Sequence, residues 1–322
     1  MPILGWLGGG LPGVRPERGL AGSEAALLGT DVYRASSAGM GKPRICAAKD
    51  CSGGWIPTWK KRRRPVFEDE WACSGRCLRG LVMSVVQREA GEALRDESGS
   101  ASHRHRVPLG LVLLAQGWIT HPQLRTALAA QRSSGCGRIG EWLAESCGLP
   151  EERVARGLGV QWGCPVLAVE GFHPAAMARV MPKRFVVEFG LVPLRVAGSS
   201  LLYVAFANGP DATASLALEQ MSALKVESGL LPGAQFEAVR KSVLEEDGVP
   251  VLVSTVKDAD ELTQQIAKAL EEQQPLASRL VRVRGYYWLR LWLESGALTG
   301  VGTLPDSIED VRDYIFAVGS KA

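Results

Sequence analysis

The chain has 322 residues, of which 46% are apolar and 22% charged, and its formal net charge is +3. This is the composition of a soluble globular protein long enough for two or three domains. So small a charge does not by itself argue for nucleic acid, and no apolar run reaches the roughly 18 residues that a membrane span needs.

The charge is unevenly spread. Residues 42–106 hold 14 Lys+Arg against 8 Asp+Glu, which leaves the remainder net negative by 3. Residues 1–41 are rich in Gly, Ala and Ser without periodicity. They read as disordered, or as a start assigned upstream of Met40. Their opening, MPILGWLGGGLPG, lacks the basic segment and sustained apolar core of a signal peptide. A cytoplasmic location with reduced thiols is the expectation.

Seven cysteines follow, four of them clustered. Cys46 and Cys51 form C-x4-C, and after 21 residues Cys73 and Cys77 form C-x3-C. Four thiolates in two close pairs suit a structural, tetrahedral zinc. The run LRGLVMSVVQREAGEAL after Cys77 reads as a helix. Residues 42–98 are therefore expected to fold as a small zinc finger. The layout resembles a treble clef: a knuckle, a hairpin built from WIPTWKK and RPVFEDEW, and a helix carrying the last pair. The spacer holds Lys60, Lys61, Arg62, Arg63 and Arg64 among Trp55, Trp59 and Phe67. Basic residues among aromatics suit phosphate contacts and base stacking. They equally suit a solvated hairpin tip over a small aromatic core. Cys136, Cys147 and Cys164 are scattered and read as small hydrophobes.

Residues 109–131 and 139–161 then carry one sparse pattern twice. Displaced by 30 residues, Gly110 falls on Gly140, Leu113 on Leu143, Leu124 on Val154, Leu128 on Leu158 and Gln131 on Gln161. Each unit reads as two helices. Gly117 ends the first helix of the first unit, and Thr120-x-x-Gln123 is a capping box with Pro122 in the tolerated first turn. Leu124, Ala127, Leu128 and Gln131 share one face of the second helix. Pro150, Glu151 and Glu152 start the corresponding helix of the second unit. Two units make a small four-helix bundle. The leucines are explained as core. The repeated glycine and glutamine are not: glycine permits close approach of a ligand to the backbone, and a glutamine amide pairs with a polar edge such as a base or ribose.

The pattern resembles RLGxxLxxxGxxxxxxLxxxLxxQ, the tandem motif of the MshEN domain. That domain is the N-terminal region of the type II secretion (GspE) and type IV pilus assembly ATPases. Pro108, Leu109, Gly110, Leu113, Gly117, Leu124, Leu128 and Gln131 supply one copy. Arg138, Ile139, Gly140, Leu143, Cys147, Val154, Leu158 and Gln161 supply the other. PVLAV at 165–169, a helix over HPAAMARVMPKRFVVEFG, LVPLRVAGSSLLYVAFANG, DATASLALEQMSAL and KVESGLLPGAQFEAVRKSV extend the likeness over about 107–246 as an α/β second half. The resemblance implies cyclic di-GMP as a ligand and a secretion or pilus component as a protein partner. Leu109, Gly110, Leu124, Leu128 and Gln131 would make one half-site. Arg138, Ile139, Gly140, Val154, Leu158 and Gln161 would make the other. Two positions depart from the motif. Pro108 stands where the motif has arginine, with Arg106 nearby but out of register, and Cys147 stands where it has glycine, with Gly148 one step late.

No G-x-x-x-x-G-K-[ST] occurs, so the phosphate loop of a motor ATPase is absent from the sequence. Residues 247–322 read as a small α+β unit. VPVLVSTV is a strand, and DADELTQQIAKALEE is a helix begun at Asp258 or Asp260 with Leu262, Ile266 and Leu270 on one face. LVRVRGYYWLRLWL alternates as one strand. Val281, Val283, Tyr287, Leu289 and Leu291 lie on one side; Arg282, Arg284, Tyr286, Trp288, Arg290 and Trp292 lie on the other. The Arg/Trp side suits an anion or a nucleic-acid strand, or else arginines stacked on neighbouring tryptophans. SIEDVRDYIFAV is a helix or an edge strand. The fold class is α+β and multi-domain. His103, His105, His121 and His173 are scattered with no acid–base constellation, so no enzymatic activity is expected. Two functions follow: a cytoplasmic signalling adaptor that takes structural zinc and cyclic di-GMP, or a nucleic-acid-binding regulator that uses the basic spacer and the Arg/Trp strand.

Overall fold

The computed structural model describes residues 46–51, 66–99, 106–207, 209–298 and 300–319. The expected disordered start, the basic run at 60–64, Trp55 and Trp59 lie outside the described residues. Both helices and sheets are present, in agreement with an α+β class. Strands β1 (Val66–Phe67) and β2 (Glu70–Trp71) pair antiparallel. This hairpin lies inside RPVFEDEW; the WIPTWKK half of the expected hairpin lies outside the described residues. Glu68 and Asp69 form its two-residue turn with φ of 48° and 63°. A tight hairpin needs positive φ at both turn positions to match the strand twist. Helix α1 (Gly75–Gly99) begins between Cys73 and Cys77 and carries Cys77 in its first turn.

Helices α2 (Leu109–Ala115), α3 (His121–Ser134), α4 (Ile139–Cys147) and α5 (Glu151–Trp162) form the two repeated units. The capping box at Thr120 is present: the Gln123 N–H donates to Thr120 Oγ1 at 3.4 Å, and the Thr120 N–H donates to Gln123 Oε1 at 2.9 Å. Gly117 leaves α2 in the left-handed region, φ 66°. In the second unit that role passes to Gly148, φ 64°, so Cys147 remains the last helical residue.

The expected helix over 173–190 is broken. It becomes α6 (Pro174–Met177) and α7 (Lys183–Phe189), with Pro182 as N-cap of the latter. Proline lacks the N–H and crowds the preceding turn, so it begins a helix more readily than it continues one. Strands β3 (Leu191–Ala197) and β4 (Leu201–Phe206), helix α8 (Ala212–Ser222), strand β5 (Lys225–Leu230) and helix α9 (Gly233–Glu245) complete this half. The sheet order is β3-β4-β5. Val166 of the PVLAV run bridges Leu230 beyond β5.

The last segment holds β6 (Val251–Val256), α10 (Ala259–Gln273), β7 (Ala277–Val283), β8 (Tyr286–Trp292) and β9 (Val311–Val318) in sheet order β6-β9-β8-β7. Asp258 caps α10 by accepting from the Glu261 N–H at 2.8 Å. Two expectations change here. LVRVRGYYWLRLWL is a hairpin turning at Arg284-Gly285, not one strand. SIEDVRDYIFAV yields β9, which is central and pairs with both β6 and β8.

The hairpin regroups the faces. Val281, Val283, Trp288 and Trp292 pack with Phe185, Leu194 and Leu218 of the preceding α/β half. Leu280, Tyr287, Leu289 and Leu291 pack with Leu78, Val82 and Val86 of α1 and with Ile266 and Leu270 of α10. Both faces of the sheet are therefore covered along β7 and β8. The expected anion- or nucleic-acid-binding Arg/Trp face does not exist as a surface: Trp288 and Arg290 are 1% exposed and Trp292 is 0%.

Arg290 is held at that interface. Its Nε and Nη2 donate to Asp313 Oδ1 and Oδ2 at 2.8 and 2.7 Å, and its Nη1 donates to the Val180 carbonyl at 3.1 Å. Asp313 lies directly opposite it on β9. Removing one partner of a buried pair strands the other charge, at about 3–5 kcal/mol. Asp313→Ala is expected to lose that much in urea denaturation. The double replacement Arg290→Met/Asp313→Leu is expected to lose less than the single one.

Candidate functional site

The repeated units place their matching residues in matching environments. Gly110 sits against Leu124, and Gly140 against Val154. A Cβ built on either glycine would lie 2.7 Å from that side chain. The two glycines thus admit a neighbouring helix. Leu109, Leu113, Ala127 and Leu143 are buried in one core with Leu124, Ile139, Val154 and Leu158 packed against it. Leu128, Gln131 and Gln161 are half-buried, and Arg138 is exposed.

The glutamines are exchanged between units. Gln131 Nε2 donates to the Gly137 carbonyl at 2.9 Å, and Gln161 Nε2 donates to the Val107 carbonyl at 2.7 Å. Gly137 precedes Arg138, and Val107 precedes Pro108. The last motif residue of each unit therefore grips the backbone just before the first motif residue of the other. Helix packing follows the same exchange, α2 against α5 and α3 against α4. The acceptors are main-chain carbonyls, which no side-chain pattern announces. The equal spacing of Gln131 and Gln161 was the available signal.

The two motif starts differ chemically. Arg138 precedes α4, and its N–H donates to Glu141 Oε2 at 2.9 Å. At the other start, the Arg106 guanidinium lies 3.4 Å from the ring centre of Trp162, the residue after Gln161. Cation–π stacking occupies it there. Trp162 is enclosed on another side by Gly209, where a Cβ would come within 2.2 Å of the ring.

A separate cluster gathers at the head of α1. The sulfurs of Cys46, Cys51, Cys73 and Cys77 lie within 4.8 Å of one another, all half-buried. Cys73 Sγ is 3.5 Å from Cys51 Sγ and 3.6 Å from Cys77 Sγ, and its N–H donates to Cys46 Sγ at 3.4 Å. Four thiolates about 2.3 Å from a shared tetrahedral zinc lie about 3.8 Å apart. The cluster therefore fits such an ion. Burial pushes the Cys73 thiol up to about 12, with the Cys51, Cys77 and Cys46 thiols adding to the rise. Cys46 moves down to about 7: burial opposes the shift, and hydrogen bonds from the Cys73 and Ala48 backbone and from the Cys73 and Cys51 thiols outweigh it. Without a cation Cys46 is thus held toward the thiolate and Cys73 toward the thiol. A bound cation replaces the remaining protons.

The chain is similar to solved structures of MshE and of the XpsE N-terminal domain. The structure of MshE with cdg (cyclic di-GMP) is 24% identical, over 42% of this chain and 98% of that one, with a TM-score of 0.34. Two crystal forms of the XpsE N-terminal domain are 19% and 17% identical, over 42% and 40% of this chain and 92% and 90% of theirs, with TM-scores of 0.30 and 0.24. No family model and no curated protein matches the sequence.

Each glutamine bond is worth about 1 kcal/mol. Gln161→Ala is expected to lower bundle stability by that amount and to speed amide exchange in α2 and α5. Gly140→Ala forces a methyl onto Val154 and is expected to cost about 1–3 kcal/mol, read as a lower thermal midpoint.

Proposed function

We propose that this chain is a non-enzymatic, cytoplasmic adaptor in which the paired-motif bundle takes cyclic di-GMP and a structural zinc holds the cysteine module. The reciprocal glutamine clasp carries the reading. It grips the backbone before both motif starts in the same way, exchanged between units, and cyclic di-GMP is a ligand of two identical halves. One half meets Leu109, Gly110, Leu124, Leu128 and Gln131; the other meets Arg138, Ile139, Gly140, Val154, Leu158 and Gln161. Apolar base faces are taken up by the leucines, isoleucine and valine. Arg138 offers a forked donor to a guanine edge or a phosphate. Pro108 offers none, and Arg106 is engaged with Trp162. One missing charge-assisted bond costs about 1.5–3 kcal/mol, so affinity is reduced about ten- to a hundredfold from that of a site with two arginines. The partner is a component of a secretion or pilus assembly, addressed through this domain.

Calorimetry on the full chain tests the ligand. Saturable binding of cyclic di-GMP is expected, weakened at least tenfold by Arg138→Ala. An absence of heat at millimolar ligand would refute it. The metal is tested by elemental analysis. One zinc per chain is expected, and none in Cys73→Ser/Cys77→Ser. Because binding displaces thiol protons, that of Cys73 above all, zinc affinity is expected to fall as the pH drops from the alkaline range, and more steeply below about 7, where Cys46 also takes up a proton.

A further inference from the structure

The two motif starts differ in how their main chain is held. Before α4, three consecutive residues are each bonded by a different side chain. The Trp142 indole N–H donates to the Cys136 carbonyl at 3.0 Å, Gln131 Nε2 donates to the Gly137 carbonyl at 2.9 Å, and the Arg138 N–H donates to Glu141 Oε2 at 2.9 Å. Gly137 admits this arrangement. Its φ is 81°, and a Cβ there would lie 2.8 Å from Trp142 Nε1. The left-handed φ and the close indole both ask for glycine.

The first unit is built otherwise. Displaced by 30 residues, Trp142 falls on Val112 and Glu141 on Leu111, whose side chains neither donate nor accept. Gly137 falls on Val107, whose carbonyl takes the Gln161 amide. Trp142 therefore stands outside the repeated pattern. It is half-buried against the bundle core, which fixes its ring. A ring that only filled that core would not need its N–H aimed at the Cys136 carbonyl.

We propose that Trp142 is a positioning residue for Arg138: by holding the Cys136 carbonyl it fixes the backbone from which that guanidinium reaches a guanine edge or a phosphate. The inference rests on the cyclic di-GMP reading above. Trp142 itself makes no contact with the ligand. A group whose support is set beforehand loses less freedom on binding, and a loosened support costs affinity without removing any contact. The half-site at Arg138 carries this support, and the half-site at Pro108 has no counterpart of Trp142 or Glu141.

Calorimetry with cyclic di-GMP on the full chain tests this, in a cycle of Trp142→Phe and Arg138→Ala. Phenylalanine keeps an aromatic ring against the core and removes the N–H. Trp142→Phe is expected to weaken binding about fivefold in the otherwise unchanged chain, the worth of one hydrogen bond, and by less than about twofold in the Arg138→Ala background. Gly137→Ala, which sets a methyl against the indole N–H, is expected to show the same dependence on Arg138, and serves alone if Trp142→Phe lowers the thermal midpoint. A tryptophan that served the core alone, or touched the ligand itself, would cost the same in both backgrounds. That outcome overturns the positioning role and leaves the ligand reading standing, as does an affinity unchanged by either variant. An unmodified chain that binds no cyclic di-GMP refutes the ligand reading, and the role of Trp142 falls with it.

Discussion

A guanidinium buried in the middle of the molecule sets the arrangement of everything around it. Arg290 carries its charge at 1% exposure, where an unpaired ion is not tolerated. It is answered from two directions, by the Asp313 carboxylate on the neighbouring strand and by the Val180 carbonyl from the turn after α6. Slipping β8 against β9 by one residue would part the charges. Lifting the sheet from the α/β half would strip Nη1 of its acceptor. The apolar contacts of Trp288 and Trp292 hold the interface together, but they are not directional. The ion pair determines which contacts those are.

The same economy of directional bonds appears in the helical bundle. Its core is aliphatic and would accept several packings of short helices. Two amide hydrogen bonds distinguish one of them, because each glutamine reaches a carbonyl in the other unit. The backbone just before Arg138 is therefore already fixed. The cysteine module is tied to the sheet in a similar way. Glu68 and Glu89 each accept from a β7 amide and from Arg88 as well.

Much of this was legible in the sequence. The 30-residue offset of glycines, leucines and glutamines gave the bundle, and the capping box at Thr120 and the glycine at 117 gave helix ends that the structure keeps. The four clustered cysteines were sufficient to bring their sulfurs together. What escaped was long-range. Alternation in LVRVRGYYWLRLWL continues smoothly through Arg284-Gly285, so period alone could not reveal a two-residue turn, and the turn reverses which residues share a face. A strand with arginine and tryptophan on one side looks half-solvated until a second layer covers it. Nothing local to SIEDVRDYIFAV says that it will be inserted between two earlier strands. Gln131 and Gln161 stand out by their spacing, yet their partners are backbone oxygens with no identity in a sequence pattern.

Helix α1 has its cover at the far end of the chain. Ser278 reaches Val66 across 212 positions, and the apolar side of α1 rests on residues from α10, β7, β8 and β9. At roughly 5–20 residues per second of synthesis, that separation corresponds to about ten to forty seconds. Throughout that interval the nascent chain shows Leu78, Val82 and Val86 to the solvent or to a chaperone. The cysteine cluster is complete long before then, so a metal captured early would keep the head of α1 ordered until its sheet emerges.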